Sequence, residues 1–145
     1  MHTTDLRVTE DEAALTGRII GAAVTVHRVL GPGFIESIYH RSLERQLTNV
    51  GLSYESEFDV AVWYDGLRVG EHRLDLRVEG RIVVELKAVS KLSDAHLAQI
   101  RSYLRATRTR IGLLLNFSDV VLRIRRVIIE PTSLPQGFGR FQNSE

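Results

Sequence analysis

Asp75, Glu85 and Lys87 are the residues of this sequence whose types and spacing could do chemistry together. They lie in Leu74-Asp75-Leu76-Arg77-Val78-Glu79-Gly80-Arg81-Ile82-Val83-Val84-Glu85-Leu86-Lys87, which reads as two strands joined at Glu79-Gly80. The period of two along a strand puts Glu85 and Lys87 on one face. Asp75 shares that face only if its opposed neighbour is Glu85. A bare two-residue turn would pair Val78 with Arg81 and set Asp75 against Val84, on the wrong side. The spacing therefore predicts a three-residue connection or a β-bulge. Two carboxylates and an ammonium meeting there suit a hard cation such as Mg²⁺, which takes one or two protein carboxylates plus substrate phosphate. Such an ion polarises a phosphate and acidifies bound water, and Lys87 would position that water or neutralise charge building on the phosphate. The same three residues also make a cross-strand ion-pair ladder, worth well under ~1 kcal/mol per pair. Against that plainer reading stands Ile82-Val83-Val84, a run typical of a buried strand, where a charge needs a reason to be.

The elements that would position these residues are legible on either side. Thr9-Glu10-Asp11-Glu12 reads as a capping box, followed by Leu15, Ile19, Ala22, Val26 and Val29/Leu30 at helical spacing. Gly31-Pro32-Gly33 should stop that helix. A second is predicted over 34–50, with Ile35, Ile38/Tyr39, Leu43 and Leu47/Val50 as its apolar stripe and Gly51 beyond its end. Alternation then predicts a strand over 54–64, a tight turn at Asp65-Gly66 and a strand over 67–78 that could break near Gly70. A strand over 81–88 follows, then a helix over 94–106 capped by Ser93, and strands over 111–115 and 120–129. The order α-α-β-β-β-α-β-β makes an α/β (α+β) domain, a mixed sheet with helices packed on it. It fills one domain over 1–145, with a core over about 10–130 and a polar tail over 131–145.

Composition narrows the function classes. A chain of 145 residues that is 43% hydrophobic and 26% charged is neither a disordered tail nor a low-complexity array. The absence of cysteine excludes disulfides and zinc–thiolate sites, and the histidines lack metal-ligand spacing. No apolar run approaches the ~20 residues of a bilayer crossing, and the polar, acidic start is unlike a signal peptide, so a cytoplasmic protein without membrane contact is expected. Neither a GxxxxGKS-type loop nor a Gly-x-Ser-x-Gly elbow is present. Residues 1–60 carry five Arg/Lys against nine Asp/Glu, whereas 61–145 carry fourteen against nine, a mild pointer to an anionic partner on one side.

Asp75 followed ten residues later by Glu85-x-Lys87 resembles the signature of the PD-(D/E)XK nuclease superfamily. Gly33-Phe34-Ile35-Glu36-Ser37-Ile38-Tyr39 is similar to the motif that names the GxxExxY family, a branch of it. The likeness runs from about Leu15 to Val127 and includes Leu113-Leu114-Leu115-Asn116-Phe117; Leu74 stands where the superfamily's name implies proline. It implies a restriction-endonuclease-like core, a Mg²⁺ (or Mn²⁺) cofactor and a nucleic-acid substrate, DNA before RNA. It also implies that Asp75, Glu85 and Glu36 bind metal and that Lys87 acts on water or transition state. Gln99 and Tyr103, matching a Q-x-x-x-Y pattern and sharing a helix face at i, i+4, would support them. Read without the likeness, Glu36 is as readily a solvated glutamate, Tyr103 a core edge and Gln99 its solvated neighbour.

Arg101, Arg105 and Arg108 near the end of the third helix, with Arg123 and Arg125 on the last strand, would grip phosphates. They could equally be a cation-rich helix end and a charged edge strand. The phosphate reading gains if Arg123 and Arg125 point the same way as the carboxylates. A nuclease-fold module that binds nucleic acid or a protein without turnover is the rival function. A homodimer, with Trp63 and Tyr64 at the contact, is a third expectation.

Overall fold

The capping box forms as the sequence requires. Thr9 Oγ1 accepts the Glu12 amide at 3.1 Å and Glu12 Oε1 accepts the Thr9 amide at 2.9 Å. They open helix α1 (Glu10–Leu30), which ends at Gly31, with φ of 71°. This is a computed structural model describing residues 8–130, so the expected polar tail lies outside the described residues. Helix α1 has 21 residues and contains an 18-residue window of mean hydropathy 1.2, the length and composition of a spanning helix, which its scattered polar residues hide from a search for unbroken apolar runs. Its apolar residues Leu15, Ile19, Ala22, Ala23 and Val26 face the protein core instead.

Helix α2 (Glu36–Asn49) starts two residues later than the sequence predicts. Tyr39, Leu43 and Leu47 form its buried stripe, but Ile35, Ile38 and Val50 do not join it. Ile35 is the residue before the helix and is 66% exposed. Its extended backbone swings the side chain out of the helical series.

Strands β1 (Tyr54–Tyr64), β2 (Leu67–Val78), β3 (Ile82–Lys87), β4 (Ile111–Asn116) and β5 (Arg123–Ile128) lie side by side in that order. All neighbours are antiparallel except β3 and β4, which helix α3 (Asp94–Thr107) joins by a crossover. This is the mixed, helix-flanked sheet and element order that the sequence predicts. Ser93 caps α3, and His96 completes a capping box by accepting the Ser93 amide at 3.0 Å. Residues Val78 and Ile82 are paired, leaving the three-residue connection Glu79, Gly80 and Arg81 that a shared acidic face demands. Opposite Gly70 the ladder slips by a bulge between Val62 and Trp63.

Helices α1 and α2 cover one face of the sheet, with Leu76, Val78, Val84 and Leu86 beneath them. Helix α3 covers the other, over Leu74, Val83 and Leu114. Leu74 and Leu76 are two residues apart and should share a face, yet they belong to opposite cores. The neighbouring strand does the same, since Ser56 bonds to His40 of α2 while Phe58 packs with the α3 cluster. The β1–β2 ribbon therefore rolls over between these positions. Glu57, at a left-handed φ of 50°, and Asp75 fall at the roll and drop out of the ladder.

Gly112 lies under α3 where a Cβ would come within 2.9 Å of Ile100 Cδ1 and 3.2 Å of Leu104 Cδ2. Both side chains are fully buried and have nowhere to move. Gly112→Ala is expected to destabilise the protein by about 1–3 kcal/mol, read as a lowered urea midpoint. An unchanged midpoint would mean that α3 sits further from the sheet.

Candidate active site

The β2–β3 ladder runs from Val78↔Ile82 to Leu76↔Val84 and stops there. The next residues in register are Asp75 and Glu85, and their side chains take over where the ladder ends. Glu85 Oε1 accepts the Asp75 amide at 3.0 Å, and Asp75 Oδ2 accepts the Leu86 amide at 2.9 Å. The roll of β1–β2 thus opens the sheet and turns Asp75 to the side where Glu85 lies. Glu85 itself is carried in by the apolar run before it and is only 4% exposed. A carboxylate held there resists ionisation. Burial, then the nearby Asp75 charge, push Glu85 up to about 8, against the opposing pull of the Asp75 amide and Lys87.

The other expected catalytic residues join this pair in a chain. Lys87, two residues on and half-buried, donates from Nζ to Gln99 Oε1 at 3.2 Å. Tyr103, one turn further along α3, is pushed up to about 12 by burial and by the charges of Glu85 and Asp75, with a Gln99 hydrogen bond opposing. Its phenol keeps its proton and serves as a donor. Glu36 stands at the first turn of α2. Although solvent reaches it, crowding around its carboxyl and the Asp75 charge raise its pKa, while Lys87 and His40 lower it. The plain ion-pair ladder is therefore not what forms, because the acids bind backbone amides and the lysine binds an amide side chain.

The motif around Glu36 has its own mechanics. Gly33 adopts φ of 111°, which a side chain would resist. The Tyr39 hydroxyl donates to the Gly31 carbonyl at 2.6 Å and accepts the Phe34 amide at 3.2 Å. Its ring stacks on Phe117 with centroids 4.6 Å apart. Tyr39 is a buried pin that fixes the loop leading to Glu36.

Sequence reasoning missed three contributors. Asn116 exchanges two hydrogen bonds with the backbone of Val89, at 3.1 and 2.9 Å, and so clamps the chain just after Lys87. A polar residue closing the apolar run Leu113-Leu114-Leu115 was the signal available. His72 packs its ring on Tyr103 at 4.6 Å, and burial keeps its pKa low. His40, bonded to Ser56 at 3.0 Å and to Glu44 at 3.1 Å, ties α2 to β1 beside the roll. Nothing in the local sequence marks the last two, since both depend on the ribbon changing sides.

Among the basic residues the expected groups separate. Paired residues of neighbouring strands project to one face, so Lys87↔Asn116↔Arg123 and Glu85↔Leu114↔Arg125 form two rows across the sheet. Arg123 and Arg125 thus point to the carboxylate side; Arg123 is paired with Asp119 at 3.1 Å. Arg101 does not share the Gln99 face of α3, and Arg108 lies past its end as the left-handed cap residue. At 3.6 residues per turn, Arg101 lies about 200° around α3 from Gln99, with the buried Leu97, Ile100 and Leu104 between. Of the expected dimer residues, Trp63 is half-buried and Tyr64 is 74% exposed at the ribbon tip.

Asp75 and Glu85 are the residues suited to a divalent cation. They are hard oxygen donors, each keeps one oxygen off the backbone, and Glu85 holds a proton that a cation could replace. Among the described residues no group of three His, Cys, Asp or Glu side chains converges to hold a metal, and Glu36 meets the pair through the Asp75 charge.

A family model described as the PD-(D/E)XK nuclease superfamily matches residues 13–127. No curated protein matches the chain. Among solved structures, the crystal structure of SSO0001 is similar, with a TM-score of 0.54 and 20% sequence identity over 68% of this chain and 52% of that one. At that identity the likeness is one of fold, and this chain spans about half the length of that protein.

Proposed function

Since this chain belongs to the PD-(D/E)XK nuclease superfamily, we propose that it is a metal-dependent nuclease of the GxxExxY branch, a single domain that hydrolyses phosphodiester bonds in DNA. The observation that carries this reading is the interlocked Asp75–Glu85 pair at the open end of the β2–β3 ladder, with Lys87 beside it. A strand of the sheet has given up its pairing to bring two acids together, where burial and the Asp75 charge keep on Glu85 a proton that a cation would replace.

Asp75 and Glu85 would hold Mg²⁺ or Mn²⁺. When bound, the cation supplies Lewis-acid polarisation of the phosphate and a water of lowered pKa. Lys87, steered by Gln99, brings a positive charge to the phosphate oxygens as negative charge builds there. Tyr103, kept protonated, offers a hydrogen bond beside the acids and holds Gln99 in place. Glu36 adds negative charge on the α2 side, where it can orient a water of the cation's shell. Arg123 and Arg125 face the substrate backbone from the same side of the sheet. The ribbon tip at Tyr64 is the proposed contact between two copies of the chain.

The test is incubation of the purified protein with Mg²⁺ and labelled linear DNA. Wild type should cut, and Lys87→Ala should cut at least about 10²-fold more slowly at saturating DNA. Binding without cleavage by wild type would establish the rival module without turnover. Equal cleavage by Lys87→Ala would remove the lysine from the reaction.

A further inference from the structure

Exposed large hydrophobic side chains on a soluble protein are normally scattered singly. Here, among the described residues, Val29, Phe34, Ile35, Ile38, Val120 and Val121 are exposed in or beside the segments that flank the start of α2 and the end of β4. Two loops carry most of them, 31–35 before α2 and 117–122 after β4, and the two are tied together. Tyr39, which pins the first, stacks on Phe117 of the second, and His27 Nε2 bonds the Asp119 carbonyl at 2.8 Å. The second loop is bonded in turn to the active-site strand, since the Phe117 amide donates to the Lys87 carbonyl at 2.9 Å.

We propose that Phe34 and Ile35 form an apolar platform that receives an unpaired base of the strand entering the Asp75–Glu85 site. The proposal rests on the nuclease reading above and adds that the preferred substrate is single-stranded or frayed at its end. Phe34 is 44% and Ile35 66% exposed, and Glu36, which senses the Asp75 charge, is the next residue along. The platform is rigid, because the Tyr39 hydroxyl holds the Phe34 amide and the phenyl ring stands edge-on to Tyr39 at 6.1 Å. A surface already ordered loses little entropy on binding.

The chemistry of the platform selects its occupant. Neither side chain carries a hydrogen-bond donor or acceptor, so it can recognise the face of a base and not its edge, without regard to sequence. In a duplex those faces are stacked and covered; only unpaired bases offer them. Phosphates on either side of such a base meet Lys87, Arg123 and Arg125, the cations that share the carboxylate face. These cations favour a polyanion over the apolar surface of a protein ligand, which makes nucleic acid the better match.

The experiment measures equilibrium binding by fluorescence anisotropy in EDTA, where cleavage is suspended. The probes are a labelled single-stranded oligonucleotide, the same strand with abasic sites, and a blunt duplex. Wild type should bind the intact strand about tenfold more tightly than the abasic one. The Phe34→Ser/Ile35→Ser double variant should bind both at the abasic level, with duplex binding and thermal midpoint unchanged. Equal wild-type affinity for intact and abasic strands would overturn the platform, as would a variant that weakens all three probes alike. A variant that dissociates a wild-type dimer in sedimentation would make the patch a self-association face and overturn it too. Failure of wild type to bind any probe would instead sink the nuclease reading.

Discussion

Asp75→Asn is expected to lower DNA cleavage by roughly 10³-fold or more and to abolish the rise in melting temperature that Mg²⁺ gives wild type. The fold itself should survive at least as well as the parent's. Asparagine keeps an oxygen for the Leu86 amide, which Asp75 Oδ2 now accepts at 2.9 Å, and it removes the charge that repels Glu85. Asp75→Ala separates the two roles. It leaves the Leu86 amide without its acceptor inside the sheet, at a cost of about 1–3 kcal/mol, and removes the cation's ligand as well. The pair of variants therefore distinguishes an acid kept for chemistry from one kept for the backbone bond. If Asp75→Asn retained both the Mg²⁺ shift and cleavage, Asp75 would be structural and the cation would have to bind elsewhere.

The legible part of this site was the part governed by local rules. Thr9 and Glu12 specify a helix start by themselves, and they form it. The three-residue link between Val78 and Ile82 follows from parity once Asp75 and Glu85 are required to meet. The illegible part depends on events between elements. That β1 and β2 roll over at Glu57 and Asp75 cannot be read from alternation, because alternation continues through the roll while the faces exchange. His72 reaches Tyr103 only because of it. Arg101 shows another effect between elements, since two residues along a helix from Gln99 is about 200° around it, so nearness in sequence does not set it on the Gln99 face.

The buried acid also links pH, stability and cation binding. Glu85 has an ordinary value of 4.5 in the unfolded chain and is raised to about 8 in the fold, first by burial and then by Asp75. Between those values the native protein holds a proton that the unfolded chain has lost. Its contribution to stability is thus complete below pH 4.5 and disappears as pH rises through 8, the reverse of an acid held by a salt bridge. In EDTA the protein should lose on the order of a few kcal/mol between pH 5 and 8, seen as a falling urea midpoint. A divalent cation competes with that same proton, so Mg²⁺ should raise the midpoint far more at pH 8 than at pH 6. Its apparent affinity should climb by up to about tenfold per pH unit until Glu85 is ionised. Glu85→Gln keeps an oxygen for the Asp75 amide and has nothing to titrate, so it should flatten the pH dependence in EDTA and lose the Mg²⁺ effect together. A wild-type midpoint that is level from pH 5 to 8, or a Mg²⁺ shift equal at pH 6 and 8, would show that Glu85 ionises as freely as a surface acid. The opening in the β2–β3 ladder would then be wide enough for water to do what the cation is assigned here.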